Sequence, residues 1–113
     1  MSKIDEKLEQ YITASKELNL GLSADIITKV TQDLVPAIYQ RDSEIVSCSD
    51  SSELDTVKKS FLQKKLGLTL DDAELDAAIK KVCEEMGSSN RNKYRALFYA
   101  MLAKECGRED FYA

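Results

Sequence analysis

The residue types best able to do chemistry crowd into one stretch near the C-terminus, Lys80–Gly107, "KKVCEEMGSSNRNKYRALFYAMLAKECG". Glu84 and Glu85 fall in the last turn of one predicted helix, which stops at Gly87. Arg91, Lys93 and Arg95 fall in the first turns of the next, which Ser88 or Ser89 would cap. Both placements oppose the helix dipole, which favours anions at the N-terminus and cations at the C-terminus. Basic side chains beside the free N–H groups of a helix start are the components of an anion site. The candidate site is therefore Ser88, Ser89, Asn90, Arg91, Lys93 and Arg95, open to a small anion or an acidic protein partner. On a helix Arg91 and Arg95 share a stripe, with Lys93 on a different face, and like charges four residues apart repel unless an anion joins them. The competing explanation is compensation across the turn, with Glu84 and Glu85 pairing to Arg91 and Arg95. The sequence favours this second explanation and leaves both open.

Other candidates carry less. Cys48, Cys83 and Cys106 are odd in number and widely spaced, which fits reduced thiols better than a disulfide framework. Cys48 precedes a helix start, where a thiol pKa can fall, but Asp50 and Glu53 bring negative charge and no nearby cation is evident. Cys83 and Cys106 lie on apolar stripes, so none of the three is expected to act as a nucleophile. The chain has no histidine, which removes the commonest general base, the usual zinc partner of cysteine and any triad. Asp42, Glu44 and Asp50 share a loop but match no calcium-loop spacing. The pairs Asp71–Asp72 and Glu84–Glu85 are adjacent, so on a helix their side chains diverge. An enzyme is the least supported class, and no cofactor or metal is expected.

These residues must be held by helices, because every long segment carries the helical period. Ile4, Leu8, Tyr11, Ile12 and Leu18 line the first, which stops near Asn19–Gly21. Ser23 caps the second, with Ile27, Val30 and Leu34 on its stripe before Pro36. Residues 37–49 show no period, and "EIVSC" within them suits a short extended piece. Asp50 and Glu53 form a capping-box pattern for a third helix through Leu54, Val57, Phe61 and Leu62, closed by Gly67. Thr69 or Asp71 caps a fourth, and the fifth runs to Gly107. "LNLGL" and "LGLTL" each join one helix to the next, so two similar hairpins are expected. The fifth helix is apolar all round across "ALFYAMLA", which places it at the centre of the fold. The expected fold is all-α: a compact five-helix bundle in one domain, 1–113, with a frayed tail from 107, docking of Phe111 and Tyr112 on the body being the alternative.

Composition sets the outer bounds. With 113 residues, 43% hydrophobic and 32% charged, the chain suits one soluble domain. The longest apolar run, Ala96–Ala103, falls well short of the roughly 20 residues of a membrane span. The start "MSKIDEKLEQ" is too charged for a signal peptide, so a cytoplasmic location is expected. Net charge is −4, with 5 basic and 11 acidic residues in 1–55 against 11 and 9 in 56–113. The acidic half argues against nucleic-acid or anionic-membrane binding.

Two stretches, "SCSDSSELDTVKKSFLQKKLGL" (Ser47–Leu68) and "MGSSNRNKYRALFYAMLAK" (Met86–Lys104), resemble the signature segments of a family of small bacterial proteins classed as a domain of unknown function. The resemblance spans nearly the whole chain and is most specific in "MGSSNRNKYRA". It implies a bacterial single-domain protein and supplies no activity. The sequence thus points to a small binding or interaction module that presents residues 88–95. Its alternatives are a helix-turn-helix-like nucleic-acid binder using the start of helix 5, and a purely structural or oligomer-forming protein.

Overall fold

Short polar side chains start three of the helices in the computed structural model, which describes residues 3–35, 37–87, 90 and 92–112, with backbone alone at 41 and 42. The elements are α1 (Lys3–Glu17), α2 (Ala24–Asp33), a short α3 (Arg41–Glu44), α4 (Ser51–Thr56), α5 (Asp72–Glu85) and α6 (Arg95–Glu105). α4 runs straight on as a π-helix over Val57–Lys65. The five long helices expected from periodicity are therefore present. Ser23 Oγ accepts from the Ile26 N–H at the start of α2, and Asp71 accepts from the Glu74 N–H at 2.8 Å at the start of α5. Asp50 caps α4 through the N–H groups of Ser52 and Glu53. With the Ser52 hydroxyl also donating, its carboxyl is held below the usual range. α2 ends at Asp33, ahead of Pro36, which lies outside the described residues.

The π-helix has a packing reason. Val57, Phe61, Leu62 and Leu66 are all buried, and they recur at four- and five-residue steps. Bonding from i to i+5 lets such steps return to one face, whereas a 3.6-residue turn would spread them round the helix. Gly67 then ends this helix with a φ of 66°, a left-handed conformation that a side chain would oppose.

The two hairpins pack as expected, α1 on α2 and the π-helix on α5, with α6 between them. Every residue from Ala96 to Ala103 is buried, so α6 is the core helix. Phe61 stacks on Tyr99 with ring centroids 4.0 Å apart. No helix among the described residues is long and apolar enough to cross a membrane.

Two expectations are corrected. The start of α6 is Arg95, not the residues after Ser89. The Val46 N–H donates to the Lys93 carbonyl at 2.9 Å, and Ile45 forms an antiparallel bridge with Tyr94. Within "EIVSC", Glu44 ends α3, while Ile45 and Val46 pair with the segment before α6. That pairing keeps Tyr94 out of helical geometry, at φ −58° and ψ 131°. The chain end, expected to fray, turns back onto the body. Glu109–Tyr112 form a 3-10 turn, Tyr112 is buried, and Arg108 Nη2 donates to the Leu66 carbonyl at 2.9 Å.

Candidate functional site

Arg95 opens α6 and is fully engaged inside the fold. Its Nε donates to the Ser43 carbonyl at 2.5 Å, its Nη1 to the Tyr99 hydroxyl at 2.9 Å, and its Nη2 pairs with Glu53. Burial alone would lower its pKa, but Tyr99 and Glu53 beside it outweigh that and raise it. Glu53 therefore does not complete a capping box with Asp50, because Arg95 has recruited it. Among the described residues no ion pair joins Glu84 or Glu85 to Arg95. Lys81 instead pairs with Glu105 at 2.9 Å, with Glu85 close enough to help hold its charge.

The cysteines overturn the expectation of reduced thiols throughout. Cys48 and Cys83, separated by 35 residues, form a disulfide that ties the Ser47–Asp50 turn to the end of α5. Cys106 remains a free thiol, with its pKa raised by burial and by Glu105.

The described residues between α5 and α6 bring Lys93 beside this bond. Gly87, at φ 96°, stops α5 as expected. Asn90 seals the helix end: its Nδ2 donates to the Met86 carbonyl at 3.0 Å, while its Oδ1 accepts from the Asn92 N–H. Lys93 then folds inward until only 6% of its surface is exposed, and its Nζ donates to the Asn90 carbonyl at 2.6 Å. Lys93 thus brings to the neighbourhood of the α5 end the cation that the helix itself lacks in its last turn. Yet among the described residues no carboxylate comes within ion-pair distance of it.

Lys93, Lys80, Glu84, Ser49, Cys48 and Cys83 together line an open cleft of about 240 Å³. This cleft is the candidate site. It gathers Lys93 from the expected set and adds Lys80, Ser49 and the two cysteines, which lie far apart in sequence. Asn90 supports it from behind through its carbonyl. Arg95 has been drawn away to Glu53, and Ser88, Ser89 and Arg91 lie outside the described residues. Glu44, suggested as a loop oxygen donor, accepts from Lys7 at 2.7 Å and from the Tyr11 hydroxyl at 2.5 Å. Asp50 caps α4, and the side chain of Asp42 lies outside the described atoms.

No curated protein matches this sequence. A protein-family model does, over residues 9–110, and its description reads "protein of unknown function". Almost the full length of the chain is thereby covered, and the protein belongs to the DUF2853 family.

Proposed function

We propose that the protein is a small binding module that takes a small anion, a carboxylate or phosphate, in the cleft beside Lys80 and Lys93. The observation that carries this reading is Lys93, a 94% buried lysine lining an open cleft with no carboxylate partner among the described residues. A buried ammonium loses its hydration, and one carbonyl acceptor compensates only part of that loss. The end of α5 offsets some of the rest, and an anion entering the cleft would supply the missing counter-charge. Lys80 and Lys93 against Glu84 leave the cleft with one positive charge in excess. The reading takes up the anion that the sequence left open and moves its seat from a helix start to a cleft.

The nucleic-acid alternative draws no support from α6, whose residues from Ala96 to Ala103 are covered by the rest of the fold. The acidic N-terminal half disfavours a polyanion as well.

Thermal unfolding tests the proposal. Sulfate and phosphate should raise Tm beyond a chloride control at matched ionic strength. Part of any sulfate effect is general salting-out, which variants share. The increment specific to the site should shrink in Lys80→Gln and disappear in Lys93→Gln. Equal increments in wild type and both variants would refute the cleft as the anion's seat.

A further inference from the structure

The Cys48–Cys83 bond forms part of the wall of the cleft that holds Lys80 and Lys93. It also lines a second, larger cleft together with Leu54, Lys58, Asp76 and Ile79. Both cysteines are only partly buried and pack at the edge of the core. A disulfide lining open clefts is accessible to a nucleophile from solvent, which one sealed in the interior is not. In a reducing compartment, the cytoplasmic setting expected from the sequence, a disulfide is usually transient.

We infer that the cleft admits a small thiol bearing a carboxylate, and that this thiol exchanges with the Cys48–Cys83 disulfide. The charge preference rests on the anion reading above; the exchange itself rests on the bond and its access. The second cleft sets Lys58 and Lys80 against Asp55 and Asp76 and is balanced, so the choice of an anion belongs to the first.

The helix fixes the direction of attack. Cys83 lies in the last turn of α5, followed by Glu84 and Glu85, and the negative end of a helix disfavours a thiolate there. Cys48 is the better leaving group. Lys80, three residues before Cys83, shares its helix face and holds the carboxylate beside the Cys83 sulfur. The incoming thiolate attacks Cys83 Sγ, a mixed disulfide forms, and the electron pair of the broken bond leaves on Cys48 Sγ, which takes a proton from water. A second thiolate attacks the thiol-derived sulfur of the mixed disulfide and releases Cys83 as a thiolate, which is also protonated. Two small thiols are oxidised to one small disulfide, and the protein disulfide is reduced to two thiols.

The oxidised full-length protein is mixed with mercaptoacetate, 2-mercaptoethanol or 2-aminoethanethiol at equal thiolate concentration, then acid-quenched and weighed by mass spectrometry. Each rate is divided by the same thiol's rate with a small model disulfide, because thiolate nucleophilicity rises with thiol pKa. On that scale mercaptoacetate should react roughly fivefold faster than 2-aminoethanethiol, the factor expected for a charge or two a few ångströms away in a solvated cleft. Lys80→Gln, at an exposed position, should narrow that ratio, slowing mercaptoacetate more than 2-mercaptoethanol. The first adduct should map to Cys83; an adduct on Cys48 would overturn the direction of attack. Equal normalised rates for all three thiols would overturn the charge selection. A disulfide that resists all three would overturn the exchange. Resistance with the sulfate effect intact refutes only the exchange, whereas rapid exchange without charge preference or sulfate effect refutes the anion cleft.

Discussion

Arg95 and Glu53 lie 42 residues apart in sequence and form an ion pair that joins the first turn of α6 to the first turn of α4. Arg95 also donates to the Ser43 carbonyl, so one guanidinium ties both α3 and α4 to the core helix. The ion pair determines what the sequence alone leaves open: the arginine most suggestive of an anion site is a structural clasp.

A double-mutant cycle checks this clasp. Arg95→Gln and Glu53→Gln, followed by urea unfolding, should show a coupling of about 0.5–3 kcal/mol, the range for residues sharing one network. The cycle of Arg95→Gln with Glu84→Gln should show almost none. A strong coupling to Glu84 would restore compensation across the turn.

The core position of α6 makes Leu97→Ala and Phe98→Ala costly. Both side chains are fully buried, and each substitution should lower stability by about 2–5 kcal/mol. Urea midpoints would measure it, and losses under 1 kcal/mol at both sites would place α6 at the periphery.

The disulfide closes a loop of 35 residues, for which the loss of chain entropy in the unfolded state amounts to about 3–4 kcal/mol. Reduction of the wild type, or Cys48→Ser, should lower the stability of the oxidised protein by an amount of that order. Cys106→Ser should leave the difference between oxidised and reduced protein unchanged. Alkylation of the oxidised, denatured protein should count one thiol.

Alkaline pH should weaken the fold through Tyr11. Burial, and then the bond to Glu44, raise its pKa above the ordinary tyrosine value. The folded state therefore holds this proton more tightly than the unfolded state does. The contribution is fully present below about pH 10, the unfolded pKa, and is lost as pH rises beyond it. Tyr11→Phe should be less stable at neutral pH and should lose stability less steeply above that point. Parallel slopes for the two proteins would contradict the assignment.

The helices were legible because their signals are local: period, polar caps at Ser23, Asp50 and Asp71, and a left-handed stop at Gly67 or Gly87. The burial of α6 was legible for the same reason, since eight consecutive apolar residues admit no solvent face. The site was not, because its geometry depends on residues distant in sequence. Nothing near Cys48 announces Cys83. Ile45 and Val46 pair with the segment before α6, delay the helix to Arg95, and so undo the stripe on which Arg91 and Arg95 were placed together. Lys93, read as a member of the helix-start site on a separate face, is folded inward by that same pairing. The extended character of "EIVSC" was visible, but its partner was not.

The most direct test of the anion cleft is a titration of 15N-labelled protein with inorganic phosphate, followed by amide chemical shifts. The cleft reading predicts saturable shifts concentrated at Ser49, Lys80, Glu84, Asn90 and Lys93, with Lys93→Gln abolishing them. Shifts centred on Arg95–Leu97 at the start of α6, or spread without saturation over the exposed lysines, would contradict it.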